Sequence, residues 1–328
     1  MIATHLTNIA DMLLLNGTLL ESPGLWYGRM GVAVFFFHYA QYSGNGMFED
    51  YAVEIIEQIQ AEIHRNSPAD YANGLTGIGA GIEYLAQNGF LDINPDEILE
   101  DFDNRIHSDI FYVPQENNSL MSLGQYLLCR IAHPSSSSDK NRLLSNREMI
   151  IRIVNILENS EFSEDKYLTD VLSFLSRLHR LNVYNPQIEQ IAERLKPHFR
   201  PELIFTESNP EKLLAYIPLI QLYDDIEEAV IQSVKNAIQK ISESGTLSGE
   251  NASDTLIWLL RCKRLTGQTG ICQELASVSD KLIENPIGQF QEIRFEKGKL
   301  SLKGCAGTGL ALMTTAGKCK DNWLDLWG

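Results

Sequence analysis

Apolar and polar positions run along this chain in two rhythms. In the first, apolar residues fill a helix nearly all round, as in "GVAVFFFHYA" (31–40), "GLTGIGAGIEYL" (74–85) and "GTGLALM" (307–313). Such segments predict helices buried on both sides. In the second, apolar residues recur at i, i+3, i+4 and i+7 among charges, which predicts amphipathic helices with one wet face. "FEDYAVEIIEQIQAEIH" (48–64) places Val53, Ile56, Ile59 and Ile63 on its apolar stripe. "NREMIIRIVNILEN" (146–159), "PQIEQIAERLKPHF" (186–199) and "DIEEAVIQSVKNAIQKI" (225–241) read alike. Strand signals are few; "GQFQEIRFEKGKLSLKG" (288–304) suggests a short hairpin around Lys297–Gly298.

The buried-type helices recur. Gly31 in "YGRMG" and Gly77 in "NGLTG" each close a Gly-x-x-Gly at a helix start and lie 46 residues apart. Gly124 in "SLMSLGQYLLCRIA" follows 47 later, with Met121 in place of the first glycine. Gly307 lies 276 residues after Gly31, six times 46, and leaves room for three degenerate copies between. Their register positions are Ser173 in "YLTDVLSFLSRLHRL", Pro218 in "KLLAYIPLIQLY" and Ile257 in "ASDTLIWLLRCKRL". Seven apolar helices alternating with amphipathic ones predict an all-α fold of one domain over residues 1–328, an α/α toroid with about seven inner and seven outer helices. The rival is an open solenoid, whose ends carry polar caps. The last copy is among the least degraded, which favours closure. The helix around Ile9–Leu15 then serves as the outer partner of the seventh inner helix. Glycines at the crowded helix starts let backbones approach. Several helix N-termini on one rim would also make an anion or carboxylate site, with Tyr27, Arg29, Asn73 and Thr76 beside them and Arg29 as the anion contact.

"GLWYGRMGVAVFFFHYA", "YANGLTGIGAGIEYLAQNGFL" and "SLKGCAGTGLALM" resemble the repeats of lanthionine synthetase C-like proteins, and the likeness spans residues 20–315. The resemblance implies an α,α-toroid and a zinc enzyme that adds Cys thiols to dehydrated Ser or Thr of a precursor peptide. It also implies a zinc held by a Cys-Tyr/Trp-Gly segment in copy five and a Cys-His-Gly segment in copy six. Here copy five reads "PEKLLAYIPLIQ" and copy six "SGENASDTLIWL", with neither Cys nor His. The family's copy-three Asp aligns with Asn117 and its copy-four His with Thr169. The expectation is therefore a zinc-less relative, a pseudoenzyme without cofactor, that binds a precursor peptide or a peptide-modifying enzyme. A cyclase with atypical ligands is a further alternative.

The remaining chemistry is sparse. Cys305 sits in the last Gly-opened start, within reach of the rim, and belongs with the candidate substrate contacts. Cys262 should lie buried in its helix, and His38 and His179 read as satisfied core histidines rather than ligands. Glu83 and Asp254 offer a carboxylate pair for a sugar-acting toroid; equally they are a buried hydrogen-bonded acid and an N-cap. "PSSSSD" (134–139) reads as a polar loop, and Trp323 and Trp327 as a packing pair. Net charge is −16, with 27 Lys and Arg against 43 Asp and Glu, which excludes a nucleic-acid partner and weakly favours a basic peptide. No apolar run reaches the roughly 18 residues of a membrane span. "MIATHLTNIADMLLLNG" lacks a basic start and a cleavage site, and five cysteines without paired spacing argue against a disulfide framework, so the expected location is cytoplasmic.

Overall fold

All elements among the described residues are helical. The computed structural model describes residues 2–112, 118–132, 139–161, 165–198, 209–245, 252–266, 277–278, 281 and 299–327. Fourteen α-helices are described: α1 (Ile2–Asn16), α2 (Arg29–Ser43), α3 (Met47–Glu62), α4 (Leu75–Gln87), α5 (Pro95–Ile98), α6 (Glu100–Tyr112), α7 (Asn118–Ala132), α8 (Lys140–Glu158), α9 (Asp165–Arg180), α10 (Asn185–Leu195), α11 (Pro210–Tyr216), α12 (Glu227–Ser244), α13 (Ala252–Leu265) and α14 (Cys305–Thr315). Short 3₁₀ turns link some of them, and one, Asp321–Trp327, holds the C-terminal tryptophans. No described helix is long and apolar enough to cross a membrane. The hairpin expected around Lys297–Gly298, the "SSSS" run, Cys272 and Asn117 lie outside the described residues.

The chain gathers into two compact units. The first comprises Met1–Phe102, Ser248–Leu260 and Ser279–Trp327. Here α2 packs on α3, α4 and α14, and α14 also packs on α1. The N-terminal helix thus partners the seventh copy, as its apolar residues Leu6, Ile9 and Leu13 require. In α2 every residue from Arg29 to Ala40 is buried, in α4 every residue from Leu75 to Leu85, and in α14 every residue from Cys305 to Met313. Phe35, Phe36 and Phe37 are sealed from water; each such side chain contributes roughly 1.5–3 kcal/mol by burial. In the second unit, Asp103–Leu247 with Arg261–Val278, the repeat helices α7, α9 and α11 pack in sequence order. Their amphipathic partners follow: α8 on α7, α10 on α8 and α9, and α12 on α11.

Three local expectations change. The buried stripe of α3 is Ala52, Ile55 and Ile59, while Val53 is exposed. Adjacent apolar positions allow two stripes one residue apart, and the packing partner α2 selects one. Copy five is not one α-helix: α11 ends at Tyr216 and Ile217–Gln221 continues as 3₁₀. Pro218 has no N–H for the carbonyl of Leu214, so the α ladder cannot pass it. The unforeseen α5 and α6 lie between copies two and three. Asn94 caps α5, its side chain accepting from the Asp96 N–H at 3.1 Å, with Pro95 at the first position. Asp103, Ile106 and Ile110 form the buried face of α6.

Candidate functional site

The Gly-x-x-Gly starts of α2, α4 and α14 share one construction. The preceding loop crosses directly over the first helical turn. A Cβ at Gly28 would overlap the Ser22 carbonyl oxygen, at Gly74 that of Pro68, and at Gly304 that of Lys299. At the second glycine the blocking atom is the carbonyl oxygen of Tyr71 for Gly77 and Leu302 for Gly307, and for Gly31 the Ser301 Oγ together with the carbonyl oxygen of Leu25. The first glycines have extended backbones, with φ of −123°, −121° and −171°. They are there for close approach rather than for a left-handed conformation.

This crossing decides the fate of the helix N-termini. The Arg29 N–H donates to Ser22 O at 3.0 Å and Met30 N–H to Gly24 O at 3.2 Å. Leu75 N–H donates to Pro68 O at 2.8 Å, and Ala306 N–H to Leu300 O at 3.0 Å. One or two of the N–H groups expected to receive an anion at each start are thus already bonded to loop carbonyls. The loops also bind one another. Trp26 N–H donates to Ala72 O at 2.9 Å and Lys303 N–H to Trp26 O at 3.0 Å. The Ser301 hydroxyl reaches Leu25 O at 3.0 Å and Gly28 O at 2.5 Å. Copies seven, one and two therefore stand side by side. Ile257 of copy six would meet a Cβ on Gly307 at 3.5 Å.

The expected contact residues divide around these loops. Tyr27 is 41% exposed and Asn73 is exposed, so both are available at this face. Asn73 also braces the loops, its Oδ1 accepting from Ser22 Oγ at 3.2 Å. Arg29 is not a free anion contact. It is 5% exposed and its guanidinium grips Glu62, with Nη1 to Oε1 at 2.9 Å and Nη2 on Oε2. That bond holds the Glu62 carboxyl below its usual range. Thr76 is fully buried and donates to Ala69 O at 2.9 Å, so it closes a loop instead of lining a rim. Cys305 is 3% exposed rather than on the rim, and burial raises its thiol to about 11. Thr169 lies in α9, which belongs to the second unit. Asp254 is exposed in the first turn of α13, where its charge suits the helix dipole, and is not an N-cap. Glu83 is buried and accepts from Gln87 Nε2 at 2.7 Å one turn on.

The remaining thiols and imidazoles behave unequally. Cys262 is fully buried and its thiol is pushed well up. His179 is bonded to Glu189 Oε1 at 3.1 Å but is partly exposed, not a core residue. Trp323 is fully buried, with Trp327 edge-on at 6.5 Å, and its Nε1 donates to Thr314 Oγ1 at 2.9 Å. Among the described residues no three or more His, Cys, Asp or Glu converge as metal ligands would. Among the described residues Cys305 belongs to no cluster of three or more such ligands, and burial holds it as a thiol, so the described side chains at the glycine starts do not fit a zinc ion.

One cluster joins residues that no sequence motif brings together. His38 Nδ1 lies 3.2 Å from Cys319 Sγ, and His38 Nε2 lies 2.7 Å from Tyr84 Oη. Tyr84 donates to Asn322 Oδ1 at 3.3 Å, and Asn322 Nδ2 donates to Asn88 Oδ1. The available signal was positional. His38 and Tyr84 each follow the second glycine of their copy by seven residues, two helical turns, and Thr314 does so in copy seven.

Burial holds the His38 imidazolium down at about 4, against an unfolded value of 6.5. The unfolded chain therefore binds a proton that the folded chain refuses between those values. His38 contributes full stability above about pH 6.5, and that contribution drains away as pH falls towards 4, by about 3 kcal/mol at most. We expect urea midpoints of wild type and His38→Gln, recorded from neutral to acid pH, to converge as pH falls. Parallel midpoints would show that His38 ionises freely in the folded chain.

Compared with protein-family models and with curated proteins, the chain matches none.

Proposed function

We propose that this chain is a divergent lanthionine synthetase C-like α/α toroid that binds a peptide, without zinc-assisted thioether chemistry. A single observation carries the reading: the glycine-opened start of the seventh copy lies against that of the first, which lies against that of the second. A closed ring needs the last repeat beside the first, 276 residues away, whereas an open solenoid keeps them apart. The in-order packing of α7, α9 and α11 continues the same scheme. The resemblance in the glycine starts supplies the family, and the absent Cys-His segments in copies five and six remove its metal chemistry.

The ligand class follows from charge and from what remains open. With 43 acidic against 27 basic residues, a lysine-rich peptide is attracted and an acidic one repelled. Exposed Tyr27 and Asn73 offer an aromatic face and an amide beside the loops. A docked peptide-modifying enzyme would use the same surface.

Titrating the full chain with a lysine-rich peptide carrying dehydrated Ser and a Cys tests this. Binding should weaken with added salt, as screened charges require, and Tyr27→Ala with Asn73→Ala should weaken it further. Metal analysis of the purified protein should return well under one zinc per chain, and the bound peptide should gain no thioether. Stoichiometric zinc with ring closure would restore the cyclase; absence of binding at low salt would remove the peptide.

A further inference from the structure

We propose that Cys319, His38 and Tyr84 form a thiol-nucleophile centre that accepts an acyl group from a small activated ester or thioester. The argument is independent of the peptide-binding reading. Three elements of the first unit build the centre: α2 supplies His38, α4 supplies Tyr84, and the turn after α14 supplies Cys319. A nucleophile within hydrogen-bond reach of a base, which a third group orients, is the arrangement that covalent catalysis by Cys or Ser requires.

The proton positions follow from the hydrogen bonds. Tyr84 has one hydroxyl proton, and we assign it to the bond with Asn322 Oδ1 at 3.3 Å, which leaves the 2.7 Å contact with His38 Nε2 to an imidazole N–H. The amide of Asn322 is held in that sense because its Nδ2 donates to Asn88 Oδ1, while Asn88 Nδ2 donates to Tyr84 O at 2.8 Å. With that assignment Tyr84 Oη accepts from His38 Nε2–H. That tautomer leaves His38 Nδ1 as an acceptor facing Cys319 Sγ at 3.2 Å. The thiol has a second acceptor, Lys320 O at 3.0 Å, so it can turn its proton to or from the imidazole. His38 is 8% exposed and flanked by Phe90 at 4.6 Å, whereas Cys319 is only partly covered and within reach of a small reagent.

The step balances without a further reactant. Sγ attacks the carbonyl carbon while the thiol proton passes to His38 Nδ1. The carbonyl–leaving-group bond then breaks, and the leaving group takes that proton from Nδ1. The products are a thioester on Cys319 and a free alcohol or thiol. Water, deprotonated by the same nitrogen, hydrolyses the thioester to a carboxylic acid and restores the thiol. Burial, with the negative charge of Asp321, raises the Cys319 thiol to about 11 despite the Thr314 hydroxyl beside it. The resting pair is thus neutral, and proton transfer accompanies attack as in Ser–His pairs.

The full chain is treated with p-nitrophenyl acetate, following p-nitrophenol release and mapping the acetyl group by peptide mass spectrometry. One acetyl per chain should appear on Cys319 and be absent from Cys319→Ala. The wild-type rate should be nearly flat from about pH 6 to pH 8, because a positioned base removes the proton. His38→Gln should react about a hundredfold more slowly at neutral pH and climb about tenfold per pH unit with thiolate. Tyr84→Phe, a positioning variant, should fall between these and also gain the pH slope. Circular dichroism checks the fold; if His38→Gln is unfolded, Tyr84→Phe and the wild-type pH profile decide. Acetyl groups only on Cys129 or lysines, a wild-type rate that climbs with thiolate, or unchanged rates in both variants would overturn the proposal.

Discussion

Asp103→Ala is expected to destabilise the second unit by about 3–5 kcal/mol, because it removes the carboxylate bonded to a buried guanidinium. Asp103 is fully buried on α6. Its Oδ1 accepts from Tyr126 Oη at 2.7 Å and from Arg130 Nε at 3.2 Å, and its Oδ2 from Arg130 Nη2 at 3.0 Å. Arg142 of α8 stands 3.7 Å from the same carboxylate. One acid thus ties together α6, α7 and α8, and the Arg130 side chain is 2% exposed with little water to replace the lost partner. Attraction within such a pair roughly offsets the cost of drying it, so removing both charges is far milder than removing one. Asp103→Leu combined with Arg130→Met should recover most of the loss. Urea unfolding followed by circular dichroism measures both. A single variant within about 1 kcal/mol of wild type would mean that water reaches Arg130 after all.

Gly77→Ala is expected to cost about 3 kcal/mol or more, beyond the usual penalty for one added methyl group. The new Cβ would overlap Tyr71 O and touch Leu25 Cβ at 3.0 Å. Tyr71 O is main chain, in a loop tied to the Trp26 loop through Ala72 and to α4 through Pro68, so it has little room to retreat. Gly46→Ala is the control. Gly46 has φ −61° and ψ −21°, with nothing within 4 Å of an added Cβ. It should change stability by less than about 0.5 kcal/mol. Thermal unfolding of the pair separates a steric demand from a general cost of losing glycine. Similar melting temperatures would show that the crossing loops yield.

The copy register was legible because glycine is hard to replace where backbone crosses backbone. Gly31, Gly77 and Gly307 kept their spacing for that reason, and the helices they open were readable end to end. The degenerate copies were readable only as apolar runs. Gly124 illustrates why: a Cβ there would meet the Phe174 ring at 2.8 Å, a side chain that can yield in ways a backbone cannot. The charged α6 is not legible in the sequence because its buried face includes Asp103, an acid that looks like a surface residue until Arg130 and Tyr126 are brought to it.

Sequence by itself determined the helical class, the repeat, the glycine-opened starts and the missing Cys-His segments of copies five and six, since all are local patterns or residue identities. Tertiary structure alone decided which groups are free. Arg29 reads as an anion contact until Glu62, 33 residues on, occupies it. The helix N-termini read as vacant until the loops before them fold across and bond to them. Cys319 and His38, 281 positions apart, read as tail and core until the chain sets thiol against imidazole. Hydrogen-bond partners are fixed by distances in space, and separation along the chain carries no record of them.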